Sequence, residues 1–468
     1  MNSILLAGIT PHPPIIIPEV GGRETEKVKN TIEALTTLAE EVKECGPETV
    51  VIITPHGTVF RNAIAVNGQD QLSGSLEQFG APQVKIQVSN DPDLVDTIIR
   101  EAETEGILGV ELDQEQAINY DISLNLDHGS LVPMYFLQKA QVEASYVHVT
   151  IGFLSCPEIY SFGKSIQRAA QKEGRKIVVL ASGDLSHCLI PGAPAQYNPA
   201  GKEFDSKMKT LLQEYNVEKI MNLDESLVSS AAECGLRPII MALGSLDGYR
   251  VESQVLSYEG PFGVGYLVAL LRPGKFNEED EAGERYRREE QQKIKAQQEK
   301  ESIYVKLARE ALETYIREGK KPELPDPLPE ELRDKAGVFV SIKSKGQLRG
   351  CIGTIEPTRD NIAEEITQNA LSAGLSDLRF PPVTSEELPY LNYSVDLLMP
   401  PEPVEGLQNL DPQKFGVIVK SGLKTGLLLP KLEGVDTVEK QVNIAREKAG
   451  LNPGEKADLY RFEVKRYY

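Results

Sequence analysis

The chain has no tryptophan, only five cysteines in 468 residues, and no CxxC pair. Five scattered thiols (Cys45, Cys156, Cys188, Cys234, Cys351) leave no room for a fully paired disulfide framework or a four-cysteine zinc knot, and fit reduced thiols. Positive charge is also short, with 50 Lys and Arg against 70 Asp and Glu, a net charge of -20. That excess repels phosphate over most of the surface, which excludes nucleic acid and anionic membrane as expected partners. No run approaches the ~18 uncharged apolar residues of a membrane helix. Met1-Asn2-Ser3 passes straight into Ile4-Leu5-Leu6-Ala7, without a basic leader region or cleavage site. A soluble, cytoplasmic protein is expected, its oligomeric state unspecified. The missing tryptophan excludes nothing about the fold.

Histidine is scarce too, and its placement is informative. There are five, none beyond His187. Four occupy short segments rich in Gly, Pro or Asp: Pro11-His12-Pro13, Pro55-His56-Gly57, Asp127-His128-Gly129 and Gly183-Asp184-Leu185-Ser186-His187. Imidazole is the commonest metal ligand and an acid/base near neutral pH, so the gathering points to a metal-centred site in the N-terminal half.

At about 100 to 200 residues per domain, the length suggests two or three units. The main composition shift covers residues 273–301, where Asn277-Glu278-Glu279-Asp280-Glu281 passes into Arg285-Tyr286-Arg287-Arg288-Glu289-Glu290. Few apolar side chains and many oppositely charged residues three and four apart predict a solvated helical linker. Before it, in 1–272, continuous apolar runs at 4–9, 49–54, 146–151 and 176–181 alternate with helical segments at 24–43 and 157–173. This predicts an α/β domain, its mixed, mostly parallel sheet covered by helices on both faces. His12, His56 and His187 each fall just past a predicted strand's C-terminal end, where open α/β sheets hold their ligands. After the linker, 302–468 reads as a smaller α+β domain: helices at 305–318, 361–373 and 438–449, a hairpin at 337–342 and 347–355 turning at Lys345-Gly346, and strands at 392–398 and 460–465.

Two neutral histidines and a carboxylate form the facial triad of non-haem Fe(II) enzymes. His12 and His56 supply the histidines. His148, inside an apolar strand run, reads as a buried, hydrogen-bonded histidine rather than a ligand.

The four ordered segments Ile9-Thr10-Pro11-His12-Pro13-Pro14, Thr54-Pro55-His56-Gly57, Asp127-His128-Gly129-Ser130-Leu131-Val132-Pro133 and Ser182-Gly183-Asp184-Leu185-Ser186-His187 resemble the class III extradiol ring-cleavage dioxygenases of the catalytic B subunit type and the related Memo-like proteins, over about residues 1–271. The resemblance implies iron bound by His12 and His56, His187 as general acid/base, and His128 against substrate or bound oxygen. Asp184 is either a partner orienting His187 or a helix N-cap. Glu233, in Ala232-Glu233-Cys234-Gly235, is the candidate third ligand because a facial triad wants a carboxylate. Memo-like relatives carry a cysteine followed by glycine in this region, so Cys234 is the alternative, and a thiol there favours zinc or copper over Fe(II).

Leu348-Arg349-Gly350-Cys351-Ile352-Gly353-Thr354, with Ser376-Asp377-Leu378-Arg379-Phe380-Pro381-Pro382 and Gly426-Leu427-Leu428-Leu429-Pro430, resembles the AMMECR1 domain over about residues 302–468. Glycines flanking Cys351 would allow close approach to its sulfur, and Arg349 would favour thiolate. The absence of histidine from this unit rules out an internal Cys-His dyad, and a packed cysteine is the other reading of Cys351. Such domain pairs resemble proteins of the AmmeMemoRadiSam system.

Two functions follow as expectations. The first is an Fe(II)-dependent, extradiol-dioxygenase-like enzyme acting on a catechol-like or related small aromatic. The second is a metal-binding partner of a radical SAM protein, without oxygen-dependent ring cleavage.

Overall fold

The structure, a computed structural model, describes residues 2–277, 281–344, 347–385, 387–422, 424–432, 434–452 and 455–468. Glu278, Glu279 and Asp280 of the expected linker and the Lys345-Gly346 turn lie outside the described residues. The chain divides into two compact units, Met1–Arg287 and Arg288–Tyr468.

The N-terminal unit is built on strands β1 (Ile4–Thr10), β2 (Thr49–Thr54), β3 (Ile64–Asn67), β4 (Gln71–Leu76), β5 (Ala81–Ser89), β6 (Gly109–Leu112), β7 (Ser145–Thr150), β8 (Ile177–Ser182), β9 (Tyr249–Glu259) and β10 (Tyr266–Phe276). Eight form one sheet in the order β6-β3-β7-β2-β8-β1-β10-β9, with β4 and β5 a separate hairpin. The pairs β7/β2, β2/β8 and β8/β1 are parallel, while β10 joins β1 antiparallel. Every residue of β2 and of β8 is buried, as expected for strands with apolar side chains on both faces. Alternate residues feed two hydrophobic cores, Val51, Ile53 and Val179 in one, Val50, Ile52 and Val178 in the other. The sheet is therefore mixed with a parallel centre and helices over both cores, as the apolar runs indicate.

The antiparallel pair β9/β10 is the part those runs do not reveal. It also extends the sheet past the expected edge of the linker, since Pro273 pairs with Val251 and Phe276 with Tyr249. A helix, Ala282–Glu299, follows.

The C-terminal unit holds β11 (Gly337–Ser344), β12 (Gln347–Gly353), β13 (Leu391–Leu398), β14 (Glu402–Val404), β15 (Phe415–Ser421), β16 (Lys424–Leu428) and β17 (Asp458–Tyr467), all paired antiparallel in the order β12-β11-β13-β17-β15-β16 with β14 beside β17. Helices Ile303–Glu318 and Ile362–Leu375 cover one face through Val305, Leu312, Ile366 and Ala370. Their starts obey ordinary capping: Ser302 and Asn361 accept the Val305 and Glu364 amides. No helix among the described residues is long and apolar enough to cross a membrane.

Candidate metal centre

Strands β2, β8 and β1 are adjacent and parallel, so their C-terminal ends share one sheet edge. His12 lies two residues past β1, His56 two past β2, and His187 five past β8. The helix His128–Ala140 begins with His128, and Cys234 sits two residues before the helix Leu236–Gly244. Five side chains far apart in sequence thereby meet at one edge.

His12 is the centre of the group and is buried. Its amide donates to Asp184 Oδ1 at 3.0 Å, and its Nδ1 lies 3.0 Å from Ser182 Oγ. Ser182 gives its hydroxyl proton to the Gly129 carbonyl, so toward His12 it accepts, and Nδ1 carries the ring proton. Nε2 therefore bears a lone pair. Facing it are His56 Nε2 at 2.9 Å and Cys234 Sγ at 3.6 Å. Cys234 Sγ is also 3.7 Å from His187 Nε2 and accepts the Asp184 amide at 3.3 Å. The His56 and His128 rings stack with centroids 4.5 Å apart. Donor atoms of His12, His56 and His128 lie within 4.8 Å of one another, as do those of His12, Asp184 and Cys234.

The crossing that brings Cys234 in depends on glycine. A Cβ on Gly183 would fall 2.3 Å from the Gly235 Cα, so the β8 loop and the Cys234 segment touch backbone to backbone.

Electrostatics keep these donors neutral. Burial, with His56 and His128 nearby, pushes His12 well below its ordinary value, and burial likewise lowers His56, His128 and His187. Burial lifts the Asp184 carboxyl to about 7, and burial together with Asp184 pushes the Cys234 thiol up. Neutral imidazoles are the form that binds metal, and a cation would supply the charge that ionises the thiol. The His12–His56 spacing fits one ion as well. Two nitrogens each about 2.1 Å from a metal and at right angles lie about 3.0 Å apart, close to the His12–His56 spacing.

Two expectations need correction. Glu233 is not in the converging set: its Oε2 accepts the Leu236 amide at 2.6 Å and closes the start of the helix Leu236–Gly244. The donor at that place is Cys234. Asp184 neither caps a helix nor hydrogen-bonds His187, whose Nε2 is 4.0 Å away; it holds the His12 backbone. Ser182, which fixes the His12 tautomer, was not singled out from sequence, although it opens the His187 motif. Cys188 is buried against Ser186 Oγ at 3.2 Å and is structural. His148 is buried but pairs with Asp127, at 3.1 Å.

Residues 6–269 match the family described as the catalytic LigB subunit of aromatic ring-opening dioxygenase. The chain belongs to this family. Residues 305–467 match AMMECR1, so a LigB-type unit is followed by an AMMECR1 unit. A protein of Clostridium acetobutylicum is 43% identical over 461 residues, covering 98% of both chains, and one of Thermotoga maritima is 51% identical over 170 residues, 36% of this chain and 98% of its own. Among solved structures, an uncharacterized protein of Pyrococcus horikoshii is 35% identical with a TM-score of 0.33, covering 35% of this chain and 88% of its own.

In the AMMECR1 unit, Cys351 lies on β12 with its Sγ 3.2 Å from the Ser341 hydroxyl on β11. Arg349 does not serve it, because its guanidinium is paired with Glu387 at 2.6 and 3.1 Å. The cation beside Cys351 is Arg379, which donates to the Cys351 carbonyl at 3.1 Å while gripping Asp377; Asp377 in turn accepts the Cys351 amide at 2.9 Å. The flanking glycines answer to packing rather than to sulfur access, Gly350 facing the Ala373 carbonyl and Gly353 lying under the Phe339 ring.

Proposed function

We propose that the LigB-type unit is a metal-dependent oxidoreductase acting on a catechol-like or related small aromatic, with His12, His56 and Cys234 as metal donors and His187 as acid/base. The observation that carries this is that His56 Nε2 and Cys234 Sγ each lie near the lone pair of His12 Nε2, at 2.9 and 3.6 Å. The donor sets within 4.8 Å of one another are His12–His56–His128 and His12–Asp184–Cys234, so a shared ion would have to draw His56 and Cys234 together. Two imidazoles and a thiol suit iron, zinc or copper, and are softer than the two-histidine, one-carboxylate set of Fe(II) oxygenases. Such an ion would supply Lewis acidity to a phenolic oxygen and, with iron or copper, electron transfer.

The protein groups do the rest. His187 is half-buried and held neutral by burial, so it can accept a phenol proton. His128, stacked on His56 and 5.4 Å from the Phe79 ring, offers a flat substrate an aromatic neighbour. Burial of His12 and Asp184 keeps water from the inner side of the site.

Anaerobically prepared, iron-loaded protein mixed with catechol tests this reading. An absorbance change lost in the His12→Ala/His56→Ala variant, followed by oxygen-dependent ring opening, is expected. No spectral change and no turnover would overturn it.

The thiol in the third position favours a second reading, a metal-binding partner that presents a substrate or redox centre to a radical SAM protein without oxygen-dependent cleavage. Failure to co-purify with such a protein, or to alter its activity, counts against it.

A further inference from the structure

Beneath the histidine cluster lies a buried network that the mechanism above leaves unused. Asp127 Oδ2 accepts from His148 Nε2 at 3.1 Å and from Ser130 Oγ at 3.2 Å, and its Oδ1 accepts from Thr54 Oγ1 at 2.7 Å. Thr54 Oγ1 in turn accepts the His56 amide at 3.2 Å. The Asp127 carbonyl receives the Ser130 and Leu131 amides, which form the first turn of the helix that begins with His128. One carboxylate thus ties together the loop that carries His56, the helix turn that carries His128, and β7 through His148.

The third histidine is close as well. A Cβ on Gly129 would fall 2.5 Å from Thr54 Oγ1, 2.7 Å from Asp127 Oδ1 and 3.5 Å from His12 Nδ1, so only glycine lets the carboxylate network and the His12 ring share this space. Asp127 is not itself among the converging donors. Burial would raise its carboxyl, but the bond and charge of His148 and the Thr54 hydroxyl outweigh burial and hold it well below the ordinary range. An anion at this place strengthens imidazole ligands and offsets the charge of a dication.

We propose that Asp127, held in place by His148, is the positioning and charge-balancing residue of the metal centre, acting through Thr54 on His56 and through the start of the His128 helix. The inference rests on the reading that His12 and His56 hold a metal.

Co(II) titration of the full-length protein, followed by visible absorption, tests both and separates them. Asp127→Asn keeps the shape and an acceptor for Thr54 but removes the charge. It is expected to weaken Co(II) binding on the order of 10- to 100-fold and to shift the ligand-field bands. His148→Gln, which can still donate to Asp127, is expected within about threefold of the parent, a difference under 1 kcal/mol, whereas His148→Phe follows Asp127→Asn. A scaffold role alone would not move the bands of the bound ion. If Asp127→Asn fails to fold, Thr54→Val, which removes the hydroxyl that links Asp127 to the His56 amide, takes its place and is expected to weaken binding and shift the bands in the same direction. Parent affinity and parent spectrum in Asp127→Asn, or in Thr54→Val when that variant stands in, would overturn the inference. A parent that binds no Co(II), or whose binding survives His12→Ala, would overturn the metal reading and the inference with it.

Discussion

His12 Nδ1 lies 3.0 Å from Ser182 Oγ, a hydroxyl whose own proton goes to the Gly129 carbonyl, and this chain of two bonds sets which His12 nitrogen is free to bind. Partners of this kind typically change metal affinity by 10- to 100-fold. Ser182→Ala is therefore expected to weaken metal binding by roughly that factor. Competition with a chromogenic chelator measures it. Loss of stability without loss of affinity would show that the bond serves folding only.

Glu233 and Cys234 are neighbours with separate tasks. Glu233→Ala removes the acceptor for the Leu236 amide and is expected to cost about 0.5–2 kcal/mol, the usual value of a helix cap, while metal content stays at the parent level. Chemical denaturation and elemental analysis on the same preparation check the two halves.

Asp205 gives a pH signature. Burial lifts its carboxyl to about 6, against an opposing effect of the Ser186 amide and the Tyr258 hydroxyl that it accepts. The folded state then binds this proton more tightly than the unfolded chain. Its contribution to stability is present at low pH and is lost as pH rises from the ordinary carboxylate value toward 6, by up to roughly 3 kcal/mol. Asp205→Asn removes the charge to be buried, so its stability relative to the parent is expected to rise over that window and level off above it. Hydrogen exchange of the helix Pro199–Gln213, which carries Asp205, measures the difference at each pH.

In the AMMECR1 unit, the Asp377–Arg379 pair satisfies both the amide and the carbonyl of Cys351 on β12, an edge strand. Unpaired edge groups invite pairing between chains. Asp377→Ala/Arg379→Ala is expected to speed amide exchange at Cys351 and to promote self-association, whereas Arg349→Ala leaves exchange at Cys351 unchanged. Exchange mass spectrometry and light scattering provide the check.

The parallel centre of the sheet was legible because β2 and β8 are apolar on both faces, and the histidines could be placed because each follows such a run. The antiparallel strands β9 and β10 were overlooked although their signals are present, a continuous buried apolar run over Tyr266–Leu271 and a two-residue alternation over Tyr249–Val255. The choice between Glu233 and Cys234 was hidden for a local reason. Ala232 has φ +51°, a left-handed turn that decides which of two successive side chains faces His12, and nothing about an alanine announces it. Arg349 and Arg379 were exchanged for a similar reason: proximity in sequence favoured Arg349, but its guanidinium is paired with Glu387.

X-ray absorption and elemental analysis of anaerobically purified protein, beside Cys234→Ala and Glu233→Gln, test the central claim most directly. Near-stoichiometric metal with one sulfur and at least two imidazole nitrogens in the parent and in Glu233→Gln, with the sulfur lost in Cys234→Ala, is the predicted result. Little metal in the parent, or a sulfur-free ion that depends on Glu233 and ignores Cys234, would contradict it.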